Sequence, residues 1–351
     1  RSDLNLLSKL AKRHVKPPAV KSGETQTTTA SGCCMAVMTV ELREQTMFFF
    51  PLYTYAEFHK RPWVTIMVCV LCFLIYCWQE TNKEQISYKC DKFLSVYSED
   101  DISVIRGITH DIGITPCGAM LFYNTFYKNP DRSFLFNRDI LNNNSLEIAG
   151  HTANDSWKKF VYIADNFERF GYTNVSFMLS YHKGSYNILQ MISSVFSHSN
   201  RSHLFFNLVF FWAFGCVVEL MVGSGKMIGL ILSTAIAESI LFNYSGGLWT
   251  LGLSGVCMCM MGVLFTIHPR AQIKTFVWVL ALVRVIPVSA FWFALWYIGW
   301  DIYDTYNPSA DDNTNHSAHL TGAFIGAAYG LNYRWKLTHA KARSLPVSFY
   351  D

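Results

Sequence analysis

Charge is scarce in this chain: Asp, Glu, Lys and Arg make up 15% of its 351 residues, against about 25% in an ordinary soluble domain. The net charge of +4 is small for this length, which excludes a typical nucleic-acid-binding domain. The charges cluster, and the membrane-length stretches between them exclude a disulfide-stapled secreted module. Hydrophobic residues, in contrast, reach 51%, which excludes a disordered chain and predicts a polytopic membrane protein.

The uncharged stretches are long enough to cross a membrane, whose hydrocarbon core of about 30 Å needs roughly 20 mostly apolar helical residues. The first run covers residues 62–79, between Arg61 and Glu80. Later runs predict five more spans, at residues 202–218, from 227 onward, at about 251–267, at about 285–300 and at about 317–333. The expected fold class is therefore an all-α polytopic membrane protein with six transmembrane helices.

Basic residues orient these spans, because short cytoplasmic loops carry an excess of Lys and Arg. Lys and Arg are frequent before the first span, at 226, at 270–274 and at 334–343, whereas four aspartates lie at 301–312. This distribution predicts that both termini are cytoplasmic. The long loop after the first span is then lumenal or extracellular.

The predicted organisation has five segments. They are a basic, then amphipathic cytoplasmic tail (1–60) that is expected to lie on the membrane surface, a first span (61–80), a long lumenal or extracellular loop (81–197), a core with spans two to six (198–335) and a cytoplasmic C-terminal tail (336–351).

The long loop carries the evidence on compartment. Sequons at Asn143, Asn154 and Asn174 favour a glycosylated loop in the secretory pathway, in the Golgi or plasma membrane. The mitochondrial inner membrane is the less favoured alternative, because basic amphipathic leaders also direct mitochondrial import. Cys90 and Cys117 are the loop's only cysteines, and whether they form a disulfide stays open.

Ionisable and nucleophilic side chains are costly in a bilayer, so those within spans are functional candidates. Ser254 lies at the outer end of the fourth span, within the Gly-Leu-Ser-Gly segment 252–255. Alone, this segment favours a structural serine that bonds to its own helix backbone over a catalytic one. His319 opens the sixth span and shares one helical stripe with Gly322 and Gly326. Such small residues let helix backbones approach closely.

A third polar element stands at the outer start of the second span. His203 and Asn207 share one helix face at i, i+4 spacing, and both can donate hydrogen bonds. An amide there is also compatible with simple helix-to-helix bonding. The topology, however, brings this pair to the same depth as Ser254 and His319. A nucleophile, a base and donors for a developing oxyanion are thus predicted on one side of the membrane.

These motifs resemble those of the rhomboid intramembrane serine proteases, and within them the animal secretory-pathway branch. The resemblance covers about residues 188–331 and the first span. It rests on His203-xxx-Asn207, Gly215-xxx-Glu219, Gly252-x-Ser254-Gly255 and Ala318-His319-x-x-Gly322. It implies that Ser254 is the nucleophile and His319 the general base, in a dyad without a third, acidic member. His203, Asn207 and the Ser254 backbone N–H would form the oxyanion hole, in a six-helix rhomboid-like bundle.

The chain also departs from this family pattern. Leu253 stands where a small residue usually precedes the serine, and Leu189 and Gln190 replace a Trp-Arg pair near the end of the first loop. Glu238 falls where small residues are usual, and the seventh span frequent in this branch is missing. These departures leave the expected chemistry intact and bear on its efficiency.

The resemblance implies a hydrolase that cleaves single-span membrane proteins within or near their transmembrane segment and releases a lumenal or extracellular domain. Its expected partners are these substrates and membrane lipid, with no nucleic acid, no small-molecule cofactor and no metal. One alternative is a rhomboid-like protein that binds and retains transmembrane clients without cutting them. A channel or transporter is less favoured, because the sequence has no inverted repeat.

Overall fold

The computed structural model describes residues 40–42, 45–54, 61–110, 115–124, 147–148, 151–245, 247–279, 282–307 and 314–339. The chain divides into two compact units. The first contains residues up to 76 and from 179 onward, and the second contains residues 77–178.

Helices dominate the described residues. In chain order they are α1 (Trp63–Leu94), α2 (Glu99–His110), α3 (Pro116–Phe122), α4 (Ala153–Phe170), α5 (Val175–Leu179), α6 (Ile188–Ser193), α7 (Arg201–Val222), α8 (Ser224–Phe242), α9 (Ser254–Ile267), α10 (Ala290–Tyr306) and α11 (His316–His339). A short 3₁₀ helix, Ser194–Phe196, follows α6.

Strands form three small antiparallel sheets. The strands are β1 (Val40–Leu42), β2 (Gln45–Thr54), β3 (Glu147–Ile148), β4 (His151–Thr152), β5 (Tyr181–His182), β6 (Trp249–Thr250), β7 (Gln272–Val279) and β8 (Leu282–Ser289). The largest sheet has the order β1-β2-β7-β8, while β3 pairs with β4 and β5 pairs with β6.

The helical, polytopic prediction is confirmed. Among the described helices, α1, α7 and α8 are long and apolar enough to cross a membrane, and α9 is apolar but shorter. Large apolar side chains of α1, including Met67, Phe73 and Leu74, are more than half exposed, as expected for a helix face that contacts lipid. The helices α7 to α11 follow the predicted spans two to six along the chain.

The fifth predicted span begins later than expected. Residues 282–289 form strand β8, and α10 starts only at Ala290. The local sequence explains this difference, because Val285, Ile286 and Val288 are β-branched residues that favour strands. Pro287 adds to it, since proline removes a helix hydrogen bond. Hydropathy alone does not separate this strand from the helix after it, because both are apolar.

Part of the predicted N-terminal tail, residues 45–54, is also a strand. Residues 47–54 pair with β7, and Thr54 Oγ1 donates to the carbonyl oxygen of Ala213 on α7 at 2.8 Å. The Phe50 ring meets the Phe206 ring edge-on at 5.1 Å between centroids. These ten residues therefore form a strand that pairs in the largest sheet and contacts α7. Residues 1–39, 43–44 and 55–60 of that predicted tail lie outside the described residues.

Glu219 ties the end of α7 to the start of α1. Its carboxylate accepts hydrogen bonds from the backbone N–H groups of Val64 and Thr65, at 2.9 and 2.8 Å. It also accepts from the hydroxyls of Thr65 and Ser224, at 2.9 and 2.8 Å. An anion at a helix N-terminus is favourable, because the first N–H groups have no partner within the helix. The Gly215-xxx-Glu219 motif thus has a structural role.

Helix α9 forms the centre of the first unit and packs directly on α11. A Cβ atom on Gly322 would collide with the carbonyl oxygen of Gly255, and one on Gly326 would collide with that of Cys259. A Cβ atom on Gly262 of α9 would lie 2.5 Å from the carbonyl oxygen of Ala323. The glycine stripe predicted from the sequence is therefore the face of α11 that contacts α9.

The second unit is a small helical domain with its own core. Cys90 of α1 and Cys117 of α3 are joined by a disulfide, with their Cα atoms 6.0 Å apart. A hydrophobic cluster surrounds this bond and includes Phe93, Met120 and Phe167. The disulfide that the sequence left open is thus present in the structure.

Candidate active site

A tight turn delivers Ser254 to the first position of α9. Gly252 has φ +128°, a conformation that side-chain-bearing residues rarely adopt. Its N–H donates to the carbonyl oxygen of Ser194 at 2.9 Å, and the Leu253 side chain after it is fully buried. Because Ser254 begins the helix, its backbone N–H has no acceptor within that helix.

His203 lies against this turn. Its backbone N–H donates to the side chain of Asn200, which caps α7, at 2.8 Å. Its ring Nδ1 is 3.1 Å from the hydroxyl oxygen of Ser199. A Cβ atom on Gly252 would lie 2.7 Å from His203 Cε1 and 2.8 Å from Nε2. Glycine at 252 is thus required both by the backbone conformation and by the close approach of this imidazole.

Asn207 is fully buried one helical turn further along α7. Its backbone carbonyl oxygen and its side-chain Oδ1 face the Cys257 thiol, at 3.5 and 3.8 Å from Sγ. Its Nδ2 has no hydrogen-bond partner among the described residues, and a Cβ atom on Gly252 would be 3.8 Å from it. Buried polar groups are nearly always satisfied, so this donor stands ready for an acceptor that enters the site.

His319 sits one turn into α11 and contacts an acidic side chain of α10. Its Nδ1 is 2.9 Å from Asp301 Oδ1, and His316 Nδ1 is 2.7 Å from the same oxygen. The side chains of His319 and Asp301 are 7% and 2% exposed, which makes the contact a buried one. The family resemblance implies a dyad without a third, acidic member, and the structure places the Asp301 carboxylate in hydrogen-bond contact with the histidine of that dyad.

One cavity brings the predicted nucleophile and base together. Ser254, His319 and Asp301 line it, together with the aromatic rings of Phe210 and Tyr297. The described residues include no side-chain hydrogen bond of Ser254. Contacts of this kind are often loose before substrate binds and tighten only in the reacting complex.

The Asp301, His316 and His319 cluster also has the composition of a metal site, since its ligand atoms lie within 4.8 Å of one another. The distances, however, are those of hydrogen bonds, with both Nδ1 atoms 2.7 and 2.9 Å from one oxygen. Ligands of a tetrahedral zinc, with bonds of about 2.0–2.1 Å, would be roughly 3.3 Å apart. Hydrogen bonding accounts for this geometry without a cation.

The departures from the family pattern lie in different places. Glu238 on α8 is buried, its Oε2 has no hydrogen-bond partner among the described residues, and it faces Gly255, next to Ser254. Leu189, in contrast, is 77% exposed. Gln190 Nε2 is 3.4 Å from His182 Nδ1. Glu238 is thus a neighbour of the site, whereas Leu189 and Gln190 do not line the cavity.

Sequence reasoning did not find every residue of this site. The sequence indicates Asp301 only as one of four aspartates on the predicted lumenal or extracellular side. The available signal was its position near the end of one span, opposite a histidine near the start of the next, because antiparallel neighbours bring such ends together. Ser199 offered no signal, since serines are frequent in helix-capping segments.

Comparison with known proteins agrees with this geometry. The family described as Rhomboid domain matches residues 186–336. Rhomboid protease GlpG of Salmonella newport (strain SL254) is 28% identical over 144 residues, which are 41% of this chain and 48% of that protein. The same protein from Salmonella heidelberg (strain SL476) and Salmonella typhi gives the same values. The chain thus spans about half the length of these curated relatives.

Proposed function

Because residues 186–336 match the family described as Rhomboid domain, we propose that the protein belongs to the rhomboid family and is an intramembrane serine endopeptidase. One observation carries this proposal: Ser254 and His319, from helices α9 and α11, line one cavity. A hydroxyl is a weak nucleophile until a neighbouring base activates it. A buried imidazole beside a serine at a helix N-terminus meets that need.

In the proposed reaction, His319 accepts the Ser254 hydroxyl proton while Oγ attacks the scissile carbonyl carbon. The carbonyl oxygen becomes negatively charged and is bound by donors already in place. Asn207 Nδ2 lacks another acceptor among the described residues, and the Ser254 N–H lies at the start of a helix. His203 contributes Nε2–H in the tautomer whose Nδ1 accepts from Ser199. Water later releases the acyl group from Ser254.

The proposed substrates are single-span membrane proteins cut within or near their transmembrane segment. A peptide bond inside an intact helix cannot enter such a site, so the substrate must unwind locally. Segments with Gly or Pro near their outer end unwind most easily, since both residues disfavour helix. Release of the lumenal or extracellular part would follow.

The proposed compartment is the secretory pathway, as in the animal branch that the motifs resemble. The disulfide between Cys90 and Cys117 supports it, because such bonds persist in oxidising compartments. The three sequons of the same loop support it as well. Asn143 lies outside the described residues, Asn154 is the second residue of α4, and Asn174 precedes α5.

The direct test is cleavage in proteoliposomes that contain the full chain and a single-span substrate with a Gly-rich outer end. We expect wild-type protein to release the soluble part and Ser254→Ala to release none. A fluorophosphonate probe should label wild type and leave Ser254→Ala unlabelled. Capture of the substrate by wild type without cleavage or labelling would contradict the protease and support the alternative, a protein that binds transmembrane clients.

A further inference from the structure

The base of the proposed reaction is held by a carboxylate. Asp301 Oδ1 lies 2.9 Å from His319 Nδ1, and both side chains line the cavity that contains Ser254. We propose that Asp301 is a positioning residue for His319, so that Ser254, His319 and Asp301 act as a three-membered array. The inference rests on the protease function proposed above.

The contact selects one tautomer of His319. A carboxylate only accepts hydrogen bonds, so the ring nitrogen that faces Asp301 must carry the proton. Nε2 is then unprotonated, and it is the nitrogen that remains to accept the Ser254 proton. Without Asp301 the ring could rotate or adopt the other tautomer, in which Nε2 carries the proton and cannot act as a base.

The contact also stabilises the charge that the reaction creates. When Ser254 Oγ bonds to the carbonyl carbon, its O–H bond breaks and the proton passes to Nε2. The carbonyl π electrons move to the oxygen, and His319 becomes a cation beside the Asp301 carboxylate. His319 then transfers the proton to the departing amine nitrogen as the C–N bond breaks. Asp301 stays ionised throughout, as the aspartate does in soluble serine proteases.

His316 supports this arrangement from the other side of the carboxylate. Its Nδ1 is 2.7 Å from the same oxygen, Asp301 Oδ1, and its side chain is 12% exposed. A buried carboxylate needs several donors to offset its lost hydration. His316 therefore helps to keep Asp301 ionised and fixed in one orientation toward His319.

The test compares Asp301→Asn with Asp301→Glu in the proteoliposome assay. The amide side chain of the Asp301→Asn variant could still accept one hydrogen bond, but it lacks the charge, so we expect kcat to fall about 10- to 100-fold with KM little changed. Asp301→Glu should recover part of kcat. The matched control is Asp304→Asn, the same change three positions along α10, which should stay within about twofold of wild type.

A second measurement does not depend on how any Asp301 variant folds. In wild-type protein with ¹⁵N-labelled histidine, the His319 signals, assigned by their absence in His319→Ala, should report a protonated Nδ1. A protonated Nε2 with a bare Nδ1 would overturn the proposal. So would active wild type together with an Asp301→Asn variant of unchanged kcat. If wild type cleaves no substrate, the protease function and this inference both fail. An active wild type with an unchanged Asp301→Asn variant overturns this inference alone.

Discussion

Gly322 of α11 packs directly against the carbonyl oxygen of Gly255 in α9, with no room for even a single methyl group between them. Gly255 follows Ser254, and Gly322 lies one turn after His319. This backbone contact therefore sets the separation of the two side chains that are proposed to react. Because small residues drive such helix pairs in membranes, the geometry of the site depends on glycines that have no chemistry of their own.

Adding one methyl group to this interface should impair cleavage. A Cβ atom on Gly326 would collide with the carbonyl oxygen of Cys259, so Gly326→Ala should push α11 away from α9 and lower kcat/KM at least about tenfold. Gly229→Ala is the matched control, because a Cβ atom on Gly229 of α8 would meet nothing within 4 Å. Equal activity of the two variants in the proteoliposome assay would contradict a role for this contact.

An added methyl group in the turn before Ser254 should also impair cleavage. Gly252→Ala places a methyl group 2.7–2.8 Å from the His203 ring, so we expect loss of cleavage greater than backbone strain alone would cause. Gly184→Ala separates the two effects, since Gly184 also has a positive φ, +79°, but has nothing within 4 Å of its Cβ position. Thermal unfolding and cleavage are measured for both variants. A Gly252→Ala protein as active as Gly184→Ala would argue against crowding at His203.

The Asn207 amide, which has no hydrogen-bond partner among the described residues, is predicted to stabilise the oxyanion. Loss of one such donor typically lowers kcat about 10²–10³-fold, so Asn207→Ala should retain slow cleavage supported by His203 and the Ser254 N–H. Fluorophosphonate labelling should slow in parallel, because it forms a similar anion. If Asn207→Ala cleaves at the wild-type rate, the amide is only a helix contact.

The buried His198 side chain makes stability depend on pH. Burial, with a smaller contribution from the neighbouring His203, lowers the pKa of His198 to about 3. The unfolded value is about 6.5, so between these values the unfolded chain binds more protons than the folded one. The free energy of unfolding should therefore fall as pH is lowered below about 6.5. His198→Phe, which keeps an aromatic ring beside His203, should flatten this dependence between about pH 7 and about pH 5 in thermal unfolding.

The membrane orientation predicts glycan on the second unit. Asn174 is half-buried, and its Oδ1 accepts from the Phe177 backbone N–H at 3.1 Å, while its amide nitrogen would carry the sugar. In a secretory-pathway cell line, a glycosidase should increase the gel mobility of wild type. Combined replacement of Asn143, Asn154 and Asn174 by Gln should remove that shift. A protein found intact in protease-treated mitochondria, without glycan, would contradict the proposed compartment.

Local sequence determined the positions of several helices in this protein. The predicted second span, residues 202–218, lies within α7, and the third begins three residues after α8 does. Hydropathy and short spacings are sufficient here because they depend only on residues a few positions apart. The glycine stripe of α11 followed from the same local rules.

Tertiary structure decided what depends on distant residues. Asp301 and His319 are separated by 18 positions, and only the packing of α10 against α11 makes them partners. The close fit of Gly252 against His203 needed α7 to meet the turn before α9. Side-chain contacts across helices depend on the three-dimensional path of the chain, which composition and spacing do not specify.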